Sequence, residues 1–205
     1  MIPLVVYKLG GSLLTLSDLD RRLMALLQER LPITTQPIAD RAVLVGGGET
    51  ADLVRRWDRK HKLGAERSHD LALAAMAFNA RLVHLLVTDS ALTPKRTLVR
   101  KTCARGRVAI LEPAAVLAEA EKRASKRLPR CWDVTSDSIA AFLAMEWGAS
   151  ALVLVKSTPR PEGQSAAAAA RRGEVDKYFP HLAKRLPLVA WANLRSKRPV
   201  IERWL

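Results

Sequence analysis

The sequence predicts an α/β fold in which a mostly parallel sheet is covered by helices on both faces. Three observations predict it. Short continuous apolar runs alternate with segments of helical periodicity, two of those runs end in glycine turns that open helices, and the 205 residues are 49% hydrophobic and 26% charged, enough apolar content for one buried core. Ile2 to Lys8 is apolar, partly β-branched and stopped by Gly10-Gly11, so it reads as a buried strand. Ser17 with Asp20 three residues on resembles a capping box, and Leu19, Leu23, Leu26, Leu27 and Leu31 recur at helical spacing up to Pro32. The order strand, glycine turn, helix repeats at Ala42 to Val45, Gly46-Gly47-Gly48 and Thr50 to His61. Ser68 is placed to cap a longer helix with Leu71, Ala75, Phe78, Leu82 and Leu85 along one face. Arg107 to Leu111 reads as a weaker strand before a helix with Pro113 in its first turn. Thr135 is placed to cap Ser136 to Trp147, which Gly148 closes. Ala151 to Val155 is another apolar strand, and Leu188 to Trp191 and Val200 to Arg203 are strand-like. One domain over residues 1–205 is expected, with 157–173 as a flexible loop whose tract Ala166 to Ala170 also suits a helical turn.

Composition narrows the function classes. No apolar run reaches the roughly 18 residues of a membrane span, and Met1 to Gly11 lacks the basic start and cleavage site of a signal peptide, so a soluble cytoplasmic protein is expected. Cys103 and Cys131 match no CxxC or zinc spacing, which argues for reduced thiols and against a structural metal. The net charge of +14 is uneven: eleven basic against three acidic residues in 95–131, eleven against four in 156–205, and three acidic with no basic residues in 132–155. Such blocks attract phosphorylated partners or are solvated faces. Aromatic residues are only 5% and do not interleave with the basic clusters, so no base-stacking platform for nucleic acid is expected.

The chemistry concentrates at the glycine turns. Lys8-Leu9-Gly10-Gly11-Ser12 and Gly46-Gly47-Gly48 each follow a strand and precede a helix, which in a parallel sheet puts both at the edge where ligands bind. Glycine lets backbone N–H groups approach an anion, and a helix N-terminus adds its positive dipole end. The two turns are therefore candidates for a phosphate cradle. No GxxxxGK[ST] string occurs, and the fit of Gly46 to Ala51 to the dinucleotide fingerprint is weak. Lys8 closes an apolar strand, where a charge needs an anion or water. Asp133 and Asp137 bracket a helix start; as residues alone they serve equally as dipole partners or, for Asp137, as a holder of lysine ammoniums or magnesium. Lys156, after Val155, reaches the same edge, and His69 is a candidate phosphate contact or a plain helix-surface residue.

Val6-Tyr7-Lys8-Leu9-Gly10-Gly11-Ser12, Val43 to Gly48 and Thr135-Ser136-Asp137-Ser138-Ile139-Ala140-Ala141 leading to a strand resemble, in order and spacing, the amino acid kinase superfamily over residues 1 to about 157. The resemblance implies a three-layer αβα sandwich and transfer of the ATP γ-phosphoryl group, with magnesium, to a carboxylate, carbamate or phosphate. It implies that Lys8 stabilises the transferring group, that Gly10, Gly11, Ser12 and Gly46 to Gly48 bind phosphates, and that Asp137 orients lysines. Lys156 is similar to a nucleotide-side lysine of some members, although Ser157-Thr158-Pro159 departs from the usual Asp-Gly continuation. Lys177 is a bare candidate for the second lysine such enzymes carry, and 157–173 would lie on the nucleotide side. Ser68-His69-Asp70 and Trp132 to Ser138 look most like the aminomethylfuran phosphate kinases of methanofuran biosynthesis and their bacterial relatives, which implies a phosphate monoester acceptor, a diphosphate product and a homo-oligomer.

Overall fold

The structure, a computed structural model, describes residues 3–31, 40–163 and 165–205. Seven strands form one sheet in the order β3-β4-β2-β1-β5-β6-β7. They are β1 (Leu4–Leu9), β2 (Asp40–Val45), β3 (Ser90–Thr93), β4 (Val108–Leu111), β5 (Ala151–Lys156), β6 (Val189–Asn193) and β7 (Glu202–Arg203). All pairs are parallel except β6 with β7. Among the described residues eight α-helices cover it: α1 (Leu19–Gln28), α2 (Gly48–His61), α3 (Ala65–Leu86), α4 (Arg96–Cys103), α5 (Pro113–Glu121), α6 (Ser136–Glu146), α7 (Ala166–Arg171) and α8 (Phe179–Ala183). On one face Val6, Leu44 and Leu154 pack with α4 to α8; on the other Tyr7, Val45 and Val155 pack with α1. The alternation of β1 between these clusters is the period-two pattern of a strand buried on both sides. The three-layer sandwich expected from the sequence is the architecture found.

The register explains where chemistry collects. Leu9 pairs with both Val45 and Val155, so the residues after β1, β2 and β5 emerge together at one sheet edge. Helix α6 begins beneath that edge, and every residue from Ser136 to Ala144 is buried. A helix apolar all round belongs inside a core, which obliges the charge it carries to be paired.

Several local expectations change. Helix α3 starts at Ala65 behind Gly64, so Ser68 is internal, and its hydroxyl donates back to the carbonyls of Gly64 and Ala65. The face Leu71, Phe78 and Leu85 points outward, 40%, 64% and 77% exposed. Ala75 of the expected face is buried, together with Leu73, Met76, Ala80 and Val83. Helix α1 is headed by Asp18, whose carboxylate takes Arg21 and Arg22 rather than forming the Ser17 capping box. The segments β3 and α4 are too short and polar to carry a periodic signal in the sequence. Within 157–173, residues 166–171 are helical. Ile2 and Pro32, read as a strand start and a helix stop, lie outside the described residues.

Candidate active site

The two glycine turns meet in backbone contact. A Cβ built on Gly11 would lie 2.2 Å from the Gly48 nitrogen, and one on Gly48 would lie 2.7 Å from the Gly11 carbonyl carbon. Gly48 also has φ of +49°, so no other residue suits this point. The N–H of Gly10 donates to the Val155 carbonyl and that of Gly46 to the Leu9 carbonyl, each at 2.8 Å. Those two amides extend the sheet; Gly11 and Gly48 instead open a 3-10 turn over Gly11–Thr15 and helix α2, where first-turn amides have no intrahelical partner. Asn79, 2% exposed on α3, holds the second turn by donating to the carbonyls of Gly46 and Gly47 at 2.8 and 2.7 Å. It was not singled out in the sequence; its signal is a carboxamide on the helix face that packs inward.

Beside the turns sits a buried ionic triad. Lys8 Nζ is 3.0 Å from Asp137 Oδ1, and Lys156 Nζ is 2.8 Å from Asp137 Oδ2. Lys156 donates to Oδ2 and to the Glu174 carbonyl, whereas Lys8 contacts Oδ1 as an ion pair. Burial alone would raise the Asp137 carboxyl, but Lys156 and Lys8 outweigh it and bring the pKa down to about 2. Burial lowers Lys156 to about 8, opposed by Asp137 and aided by repulsion from Lys8. The triad carries a net positive charge in a low-dielectric setting, which is what a transferring phosphoryl group requires.

A cavity of about 380 Å³ opens over this edge, at the small end for ligand sites. It is lined by Lys8, Gly10, Gly11, Ser12, Gly47, Gly48, His69 and Lys156, all singled out in the sequence. Gly46 lies behind the lining, its Cβ position 2.9 Å from Ser136 Oγ. Ala72, Leu73, Met76, Val134 and Ile139 form an apolar floor, with Asp52, Arg55 and Trp132 beside it. The Arg55 guanidinium stacks on the Trp132 ring at 4.7 Å, and the indole N–H donates to Asp58 at 2.7 Å. His69 is buried, and burial, followed by the charge of Arg130, lowers its pKa, keeping the imidazole neutral near pH 7. Lys177 is elsewhere, in an exposed ion pair with Asp133 at 3.1 Å, and Lys156 is the second lysine that reaches Asp137. Thr135 stands at the start of α6, but its hydroxyl donates to Asp176 instead of capping.

The amino acid kinase family profile matches residues 3–160. No curated protein sequence matches the chain. Among solved structures, the uridylate kinase of Archaeoglobus fulgidus superposes with a TM-score of 0.60 at 17% identity, covering 97% of this chain and 90% of that one. The UMP kinase of Ureaplasma parvum gives 0.64 at 11% identity, covering 97% and 93%. The UMP kinase of Bacillus anthracis gives 0.60 at 13%, covering 94% and 88%. At such identities the likeness is one of fold.

Proposed function

We propose that this chain, which belongs to the amino acid kinase family, transfers the γ-phosphoryl group of ATP to a small organic phosphate monoester, giving ADP and a diphosphate. The observation that carries the reading is the buried Lys8–Asp137–Lys156 triad beside two glycine turns in backbone contact. An oxygen of the acceptor phosphate bonds to the γ-phosphorus as the bond to the β,γ-bridging oxygen breaks, and ADP leaves with that electron pair. The acceptor is already anionic, so no general base is needed; the chain's task is placement and neutralisation. Lys8 and Lys156 face the charge spread over the γ-phosphoryl oxygens, and Asp137 keeps both ammoniums aimed there. The Gly11 and Gly48 backbone leaves room that a side chain would fill, which suits phosphate oxygens. Among the described residues no group of three His, Cys, Asp or Glu is placed to hold a metal, and Asp137 is already taken by two lysines. Magnesium would therefore enter on the triphosphate, whose charge it shields.

The apolar floor favours a compact acceptor with few polar edges. An aminomethylfuran phosphate combines a flat ring, a phosphate and an ammonium, and Asp52 on the cavity wall, whose Oδ1 is paired with Arg55 at 2.7 Å, has Oδ2 left for that ammonium. The test is a panel of phosphate monoesters, including this one and UMP, against glutamate, aspartate and carbamate, read by ADP release and product mass. The proposal expects a diphosphate product; turnover of carboxylates alone would overturn the acceptor, and no ADP release with any compound would favour a silent anion-binding protein. Segment 157–173 follows β5 on the nucleotide side in this reading. Free Cys103 and Cys131 suit a reducing cytoplasm.

The exposed stripe on α3 fits a second copy of the chain. Leu71, Phe78 and Leu85 recur every seven residues, so an antiparallel pairing centred on Phe78 sets Leu71 against Leu85. Light scattering should give a dimer, and Phe78→Glu a monomer; a monomeric wild type would refute the pairing.

A further inference from the structure

We infer that Asp176 is a positioning residue that sets the Asp137 carboxylate between its two lysines. Its carboxylate accepts five hydrogen bonds. Oδ2 takes the backbone N–H and the hydroxyl of Thr135 and the N–H of Ser138, each at 2.9 Å. Oδ1 takes the Ser138 hydroxyl and, at 2.9 Å, the N–H of Phe179. Residues 135 and 138 bracket Asp137, so one carboxylate fixes the backbone on both sides of it. The same segment holds the other end of the triad, because the Glu174 carbonyl accepts from Lys156 Nζ at 2.9 Å. Val175 and Phe179, 4% and 0% exposed, anchor the segment in the core. Two residues of one short stretch thus align Asp137 and Lys156 from outside the cavity.

A second consequence concerns the anion. The first amides of a helix attract phosphate, yet at α6 those of Thr135 and Ser138 already serve Asp176. Ser136, between them, lines the cavity, so the start of α6 and the glycine turns together face an incoming phosphate. The residue neighbours Lys177, which the sequence had singled out; its side chain turns inward to α6, while that of Lys177 is exposed.

What this alignment accomplishes rests on the kinase reading above, so the test pairs a kinetic readout with one that needs no turnover. Asp176→Asn keeps the shape but loses acceptor capacity. It should lower kcat by about 10- to 100-fold while KM for ATP and acceptor stays within about twofold, and Asp176→Glu should recover part of the loss. In parallel, carboxyl NMR should show the Asp137 titration moving from about 2 toward the ordinary carboxylate range. Thr135→Val with Ser138→Ala, which removes the two hydroxyl donors from the other side, should give the same defect if Asp176→Asn does not fold. An unchanged Asp137 titration, or an unchanged kcat per folded molecule in an active enzyme, would reduce Asp176 to a cap and overturn the inference. An Asp137 titration that moves in Asp176→Asn while the wild type turns over no acceptor would uphold the alignment and reject the kinase reading.

Discussion

Replacing Asp137 with asparagine removes one negative charge from between two ammoniums and changes almost nothing else in shape. Asp137 is 4% exposed, with lysine nitrogens at 3.0 and 2.8 Å. Its pKa is depressed from 3.8 to about 2, and each unit of depression is worth about 1.4 kcal/mol of preference for the charged form, giving roughly 2 kcal/mol. Leaving two buried ammoniums unpaired sets a ceiling near 3–5 kcal/mol. Lys156, already lowered to about 8, sheds its proton once the carboxylate is gone, which holds the loss toward the lower figure. The folded pKa lies below the unfolded one, so the stabilisation is present above about pH 4 and disappears as pH falls toward 2. Urea denaturation at pH 7, 4 and 3 should show a wild-type advantage of about 2 kcal/mol at pH 7, narrowing below pH 4. If Asp137 were only a helix-start partner, the cost would stay under about 1 kcal/mol. A difference that small, or one independent of pH, would refute the triad as the reason the residue is charged.

The remaining expectations test other parts of the site. Lys156 should impose an alkaline limb on kcat/KM near pH 8, which Lys156→Arg abolishes because guanidinium stays charged. Over the same range this group makes the fold more stable as pH rises, since the unfolded chain holds its lysine proton to about 10.5; a flat profile in wild type would contradict the placement. Gly11→Ala drives a Cβ against the Gly48 backbone at 2.2 Å, where nothing flexible can yield, and should cost about 3 kcal/mol or more. Gly106→Ala, with φ of +72° and open space around it, should cost only about 1 kcal/mol in the same denaturation assay.

The parts of this molecule legible in its sequence are those written in continuous patterns. The strands β1, β2 and β5 carry the continuous apolar stretches Leu4 to Tyr7, Ala42 to Val45 and Ala151 to Val155, and the glycine turns after the first two stand out because glycine clusters there and nowhere else. Lys8 and Asp137 follow from charges placed where burial must be compensated. Long-range pairing is what no local pattern contains. Asp176 lies 41 residues from Thr135 and Asn79 lies 33 from Gly46, and each carries a polar signal too ordinary to mark its role. The α3 stripe shows a different failure: heptad spacing identified an apolar face correctly but not whether the chain's own core or another surface covers it. Ser68 failed as a cap because Gly64, with φ of +86°, turns the chain four residues earlier and Glu66 already stands in the helix's first turn.

In the proposed reaction Lys8 acts on the phosphoryl group in transit, with Asp137 and Lys156 holding the field in place. The most direct measurement is single-turnover phosphoryl transfer by Lys8→Ala, with ATP affinity followed in parallel by calorimetry. Removing a buried charge that serves mainly the transition state should raise the barrier by roughly 2–4 kcal/mol, a fall in rate of about 30- to 1,000-fold. ATP affinity should change far less than the rate, and the melting temperature should show a folded protein. A folded Lys8→Ala protein that transfers phosphoryl at the wild-type rate would contradict the account.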